Sequence, residues 1–319
     1  MQQKESTPQL ILSVTAVIVL YQRTPQESEA FASLLQALGR ESFPYHFTLI
    51  LYDNSSRPHP APLPDAPGLK IEYVHDPANG GLAPAYNHAL HRAEKNHSDW
   101  LLLFDQDTTL TSDYFKEMAF WMDSLAPDPG AAAIVPKLLY GERIYSPERD
   151  FFFQIRHHFP LRRNFSVDRE AVGLQSLPLN AYNSAAAVRV AALSSIGGFP
   201  EEFWLDYLDH AVFHALAKRG FRICVMRAEL QQKLSHIDLN QVPAWRHRNV
   251  LAAQSLFVTH AGTLLDRLFF RLWLLRKSRR YRLSCRDQSI WKAMVMQALL
   301  LRTPSSRTPA EPPRTQRHG

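Results

Sequence analysis

Asp105 and Asp107 stand at i and i+2 where the apolar run Trp100-Leu101-Leu102-Leu103-Phe104 ends. As the chain leaves an extended segment, both carboxylates can turn toward one hard cation. Two carboxylates completed by water and substrate phosphates are a common way to hold Mg2+, and the same oxygen set suits Mn2+. A bare Asp-x-Asp also fits a solvated loop. Its place after a buried-type strand favours a metal site, because open α/β sheets collect ligands at strand carboxyl ends. Carboxylates this close also repel unless a cation or a proton lies between them.

Other residues of chemical interest follow the same logic. Asp53, in Tyr52-Asp53-Asn54-Ser55, ends a second apolar run. Its carboxylate suits a hydrogen bond from a nucleobase N–H, and its structural alternative is an Asx-turn. Asn79-Gly80-Gly81 feeds a helix start, where backbone can approach a diphosphate. It is not Gly-x-Gly-x-x-Gly, so the dinucleotide fingerprint is absent, and a plain turn is its alternative. Asp206 and Asp209, in Trp204-Leu205-Asp206-Tyr207-Leu208-Asp209, enter a helix. Either they cap it and complement its dipole, or one is a general base for an attacking hydroxyl. His236 suits a further ligand to the Asp pair, or a structural role. His157-His158 reads as non-catalytic. No nucleophile elbow surrounds any Ser or Cys, and Cys224 and Cys285 form no zinc or redox pattern.

These residues need a scaffold. Val14–Leu20, Phe47–Tyr52, Leu69–Val74 and the run from Trp100 read as strands. Between them lie a helix with Phe31, Leu34, Leu35 and Leu38 on one face, a loop from Arg57 to Gly68 with five prolines, and a helix with Pro84 in its first turn. A helix around Asp113–Leu125 and a strand near Ala131–Val135 continue the rhythm. Residues 140–178 break it and read as an insertion or a flap over the site. The pattern resumes at Asn183–Val190, turns at Gly197-Gly198, runs through a helix from Phe203 to about Lys218, and ends with Phe221–Met226. Strands alternating with helices predict a doubly wound α/β sheet.

The chain has 319 residues and a net charge of +6, with the excess crowded after about residue 240. Residues 241–302 read as a basic helical extension, in which Arg267 and Arg271 share a face near Leu264, Leu268 and Leu272. Residues 303–319 read as a disordered tail. Such charge asymmetry favours an anionic partner for the C-terminal part. No uncharged apolar run approaches the ~18 residues needed to cross a bilayer. The N-terminus lacks a basic n-region and a cleavage site, and the two cysteines fit a reducing compartment.

Together these pieces resemble the family 2 glycosyltransferases of the GT-A fold, and within them the bacterial rhamnosyltransferase-like branch. The likeness runs from about Val14 to Ile237. It rests on Val17-Ile18-Val19-Leu20-Tyr21, Tyr52-Asp53-Asn54-Ser55, Asn79-Gly80-Gly81 with Asn87, Leu103-Phe104-Asp105-Gln106-Asp107, and Phe203-Trp204-Leu205-Asp206-Tyr207-Leu208-Asp209 after Gly197-Gly198-Phe199. The resemblance implies a GT-A domain over residues 1–240, a Rossmann-like mixed sheet flanked by helices.

By the same resemblance, Asp53 faces the base and Tyr21 lines the base or ribose pocket. Asn79, Gly80, Gly81, Asn87, Asp105 and Gln106 border the donor. Asp105, Asp107 and His236 bind Mg2+ or Mn2+, and Asp209 is the general base of an inverting displacement. Trp204, Asp206 and Tyr207 face the acceptor, while Trp245-Arg246-His247-Arg248-Asn249 is similar to a basic segment that follows the His. The implied donor is dTDP- or UDP-linked, plausibly dTDP-rhamnose, and the acceptor is a lipid-linked sugar or polysaccharide. The implied place is the bacterial cytoplasm, with no nucleic acid expected; the basic amphipathic helices suit either the anionic inner membrane face or a helical cap on the sheet with a solvated Arg face. Ala211 and Ala215 replace an acidic residue and an Arg of the pattern, and Ser184-Ala185 replaces Ser-Gly. Two other readings share some features: a nucleotidyltransferase-type enzyme with the same metal chemistry, and a non-enzymatic basic module binding membrane or nucleic acid.

Overall fold

The structure, a computed structural model, describes residues 12–40, 45–59, 62–64, 68–157, 165–232, 243–284 and 287–300. It opens with β1 (Leu12–Leu20), α1 (Glu29–Arg40), β2 (Tyr45–Asp53), β3 (Leu69–His75), α2 (Leu82–Lys95) and β4 (Trp100–Asp105). The middle holds α3 (Ser112–Ser124), β5 (Ala131–Tyr140), β6 (Arg143–Ser146), β7 (Glu148–Arg149), α4 (Phe151–His157), β8 (Gly173–Leu174) and β9 (Leu179–Asn180). Then come β10 (Ala186–Arg189), α5 (Val190–Ile196), α6 (Leu208–Lys218), β11 (Arg222–Gln231), α7 (Ala244–Ala261), α8 (Leu264–Ser284) and α9 (Gln288–Leu300).

Among the described residues the main sheet runs β3-β2-β1-β4-β10-β5-β11-β8, with β6 beside β5. The first four strands are parallel, joined by crossovers that hold α1, the loop after β2, and α2. β10 enters antiparallel between β4 and β5 and makes the sheet mixed. Register fixes the rim: Leu20 pairs with Asp53, Asp53 with His75, and Val19 with Asp105. The two acidic strand ends therefore flank the end of β1.

β4 shows why its run is continuously apolar. Leu101 and Leu103 face one core with α2, α5 and α6, while Trp100, Leu102 and Phe104 face the other with α1 and α3. Both faces are covered, so no position tolerates a polar residue until Asp105 reaches the rim. Residues 140–178 are more regular than their lack of period suggests. β6 and β8 extend the main sheet, β7 pairs with β9, and α4 sends Phe151, Phe152 and Ile155 into the first core. The C-terminal helices join that core through Phe257, Phe270, Leu274, Ile290 and Met294. Two of their contacts reach the site.

Candidate active site

The carboxyl ends of β1, β2 and β4 carry the residues expected to border the donor. Asp105 leaves β4 half-buried, and the Ser184 hydroxyl donates to its Oδ2. Because β10 runs antiparallel to β4, the residues just before it, including Ser184, lie at this rim. Burial pushes the Asp105 carboxyl up to about 6. The Ser184 hydroxyl pulls it back, and the charges of Asp107 and Asp209 push it further. Asp105, Asp107 and Asp209 therefore share one electrostatic neighbourhood, although more than a hundred residues separate the first pair from the third.

Several buried oxygens around this neighbourhood lack donors among the described residues. Gln232 donates Nε2 to Ser184 Oγ at 3.2 Å and leaves its own Oε1 unpartnered. Asn183 Oδ1 and the Tyr86 hydroxyl are likewise without partners, and Tyr86 feels the charges of both Asp105 and Asp209. A cluster of oxygen acceptors with raised carboxylate pKa is the donor set a hard divalent cation neutralises. Asp105 and Asp107 thus fit Mg2+ or Mn2+. No three His, Cys, Asp or Glu groups form a complete cage among the described residues, so waters or phosphate oxygens would fill the remaining positions. His236 lies outside the described residues.

Gln106 bonds the neighbouring loops. Its Oε1 accepts from the Tyr21 backbone N at 2.9 Å, and its carbonyl accepts from Ser28 Oγ at 2.9 Å. It thereby clamps the loop after β1, which holds the exposed Tyr21 ring at the rim.

Asp53 is buried and heavily bonded. It accepts from Ser55 N at 2.9 Å, Tyr73 hydroxyl at 2.5 Å, and His59 N at 3.2 Å. Burial alone would raise its pKa, but these hydrogen bonds hold it below the ordinary carboxylate range. The Ser55 bond is the Asx-turn, so Asp53 shapes its own loop here. The contacts from His59 are the longest, with the ring Nδ1 at 3.4 Å.

The glycine pair is occupied by protein. Gly81 has φ +91°, and a Cβ there would lie 2.0 Å from the Trp204 carbonyl oxygen. Leu82 N, at the start of α2, donates to that same oxygen at 2.8 Å, and Trp204 Nε1 donates to Asn79 O at 2.9 Å. Asn54 Nδ2 closes the other side on Gly81 O at 2.9 Å. One helix-start N–H is thus spent on Trp204, which locks the loop of Asn79, Gly80 and Gly81 to the acceptor side. Asn87 is a second such link. Its Oδ1 accepts from Phe199 N and its Nδ2 donates to Phe199 O, both at 2.8 Å. With both amide atoms bonded to Phe199, Asn87 positions the 197–199 turn.

The residues expected to face the acceptor are assembled from three distant segments. Tyr207, at φ 64°, precedes α6 without a side-chain cap, so neither Asp206 nor Asp209 acts as N-cap. Asp206 instead pairs with Arg246 of α7, and Tyr207 hydroxyl accepts from Gln254 Nε2 at 2.5 Å. Burial pushes Asp206 up to about 6 despite Arg246, with the Asp209 charge adding to the rise. Asp209 Oδ1 accepts from His210 N at 2.8 Å and from His210 Nδ1 at 2.9 Å. Burial opposes the His210 imidazolium, but Asp209, Glu148 and Asp150 outweigh it and raise its pKa. Phe151 packs on both Tyr207 and His210. Reasoning from sequence missed Glu148, Asp150, His210 and Gln254. The first two sit in the stretch without a period, and Gln254 is one polar residue in a helix.

The profile of glycosyl transferase family 2 matches residues 15–175. Among solved structures, the chain is similar to S. aureus TarS 1-349, at 16% identity and TM-score 0.52, over 91% of this chain and 81% of that one. The same fragment in complex with UDP-GlcNAc aligns at 15% identity and TM-score 0.51, over 90% and 81% of the two chains. A longer TarS structure aligns at 15% identity and TM-score 0.50, over 86% of this chain but only 44% of that chain. This chain thus spans less than half of that longer protein, and at these identities the likeness is one of fold. No curated protein sequence matches.

Proposed function

As a member of glycosyl transferase family 2, the chain has a fold and a rim of carboxylates from which we propose a specific reaction: transfer of a sugar from a nucleoside diphosphate to an acceptor hydroxyl, with inversion. The observation that carries it is the meeting of Asp105, Asp107 and Asp209, brought together by β4, β10 and α6. Asp105 and Asp107 would hold Mg2+ or Mn2+, which supplies positive charge to the leaving diphosphate.

The chain's own groups divide the remaining work. Asp209 takes the proton of the acceptor hydroxyl as its oxygen bonds to the anomeric carbon. The bond from that carbon to the diphosphate breaks, and its electron pair leaves with the nucleotide. His210, donating to Asp209, holds the carboxylate in place for that proton. A base N–H would reach Asp53 by replacing the long contacts from His59, and Tyr21 would flank the base or ribose. Asn79, Gly80 and Gly81 border the diphosphate, held there by Trp204. His236 is proposed as a further ligand of the cation. Trp204, Asp206 and Tyr207 wall the acceptor, a lipid-linked sugar or polysaccharide. The donor is proposed as dTDP- or UDP-linked, with rhamnose the first sugar to try.

Calorimetric titration with dTDP, UDP and GDP, with and without Mn2+, tests the donor half. Wild type should bind one of them in a metal-dependent way, Asp107→Ala should lose that binding, and Asp209→Asn should keep it while losing transfer. Absence of metal-dependent binding in the wild type would remove the reading.

A further inference from the structure

α8 carries apolar residues on two opposite faces, and only one has a partner among the described residues. Its inner face buries Phe270, Leu274 and Tyr281 in the core, where Phe270 meets Phe151 with ring centroids 6.3 Å apart. Its outer face carries Leu264, Leu265, Leu268, Leu272 and Leu275, exposed by 81, 54, 51, 45 and 36%. At one residue per ~100° of turn these five fall within an arc of roughly 100°, so they form a single stripe. Lone exposed leucines are ordinary, but a contiguous stripe of five on one helix marks an interaction surface. α9, which packs on α8, exposes Met296, Leu299 and Leu300.

The stripe runs into positive charge. Within two turns after Leu275 the same helix exposes Arg276, Arg279, Arg280 and Arg282. Residues 264–300 hold nine Lys and Arg against two Asp, which gives +7 and accounts for the whole +6 excess of the chain. Arg267 is engaged within the fold, since its Nη2 donates to Thr259 O at 2.6 Å. No helix among the described residues is long and apolar enough to cross a membrane.

We infer that the outer face of α8 docks on an anionic lipid bilayer, lying in the headgroup plane with its leucines toward the acyl chains. The arginines suit lipid phosphates, and the leucines suit the layer beneath them. A nucleic acid would engage the arginines and leave the leucines in water. A second copy would cover the leucines but bring two arginine clusters into range of each other. The inner face of the same helix reaches the acceptor wall through Phe270, Phe151 and Tyr207, the last two with ring centroids 5.5 Å apart. Docking would thus hold the wall against a surface on which a lipid-linked acceptor is displayed. The inference concerns a surface outside the transfer chemistry, and its test needs no nucleotide.

The test is flotation of the full chain with phosphatidylcholine vesicles, with and without a third of the lipid as phosphatidylglycerol. The wild type should float with the anionic vesicles, and binding should weaken as salt rises. Leu268→Glu/Leu272→Glu should lower the affinity roughly tenfold or more while thermal unfolding stays as in wild type. Leu264→Ser, at the most exposed of the five, gives a milder second variant if the pair disturbs the helix. Arg276→Gln/Arg279→Gln/Arg280→Gln should bind more weakly at low salt and lose most of the salt dependence. Three results would overturn the inference: no flotation of the wild type, flotation indifferent to every leucine change, or a dimer in sedimentation that the leucine changes split. Metal-dependent nucleotide binding with no vesicle binding would leave the transfer reading standing alone, and the reverse result would leave only the docking face.

Discussion

The two halves of the proposed site, a donor rim and an acceptor wall, are built in different ways. The donor rim is set by parallel strands whose register aligns Leu20, Asp53, His75 and Asp105 at one edge. Each of its key residues follows directly on the strand that places it. The acceptor wall has no such frame. It is gathered from residues 148–151, 203–210 and 246–257, joined by Arg246 on Asp206, Gln254 on Tyr207 and Phe151 on His210. A site can thus hold one half by local geometry and the other by long-range packing. The first should be robust to change elsewhere in the chain, and the second should depend on helices far from the chemistry.

The sharpest way to break this contrast lies where the halves touch. Gly81→Ala would place a methyl group inside the Trp204 carbonyl, at a backbone angle that L-residues rarely adopt. Either Trp204 moves or α2 does, and both sit in the first core's surroundings. The expected loss is at least about 3 kcal/mol, from overpacking and backbone strain together. Thermal unfolding of the variant reads it directly. A tolerated substitution would mean that the donor loop and the acceptor segment are not locked together.

Arg246→Ala probes the long-range half. It leaves Asp206 largely buried without its cation, which should cost about 2–3 kcal/mol, less than for a fully buried pair because some solvent reaches both groups. Adding Asp206→Asn should recover much of that loss, and the recovery measures the coupling between the site and α7. Denaturant unfolding of the two single variants and the double variant gives the cycle. Simple additivity would show that the pair does not hold the wall.

This difference also explains what was legible beforehand. Strand ends announce themselves, because an apolar run such as Trp100–Phe104 must stop where the sheet stops, and Asp105 marks the place. Glycine at 81 was readable as a close approach, and the group that approaches here is the Trp204 carbonyl. Asn87 and Gln106 sit in the right motifs, yet their amides satisfy the backbone of Phe199 and Tyr21. Side-chain amides serve both purposes, and only three-dimensional neighbours decide between them. The link from Arg246 to Asp206 spans 40 positions and leaves no local trace. The role of residues 148–151 is hidden for the same reason, since Glu148, Asp150 and Phe151 meet His210 only in three dimensions.

The finest test of the contrast is the pH response of Asp206. Burial pushes its carboxyl up to about 6, with Arg246 offsetting part of the rise, whereas an unfolded Asp titrates near 4. Between these values the folded chain holds the proton and the unfolded chain has released it. The contribution of this group to stability is therefore complete below about pH 4 and is lost as pH rises through about 6. Asp206→Asn has no proton to lose, so its stability relative to wild type should improve across that interval, by on the order of 1 kcal/mol. Guanidinium unfolding of both proteins at pH 4, 5, 6 and 7 measures the difference, with the other carboxylates, Asp105 included, common to both. A flat difference would mean that Asp206 titrates like a solvated carboxylate. The acceptor wall would then be as open to water as the loop around Tyr21, and the packing that distinguishes it from the donor rim would not govern its charge.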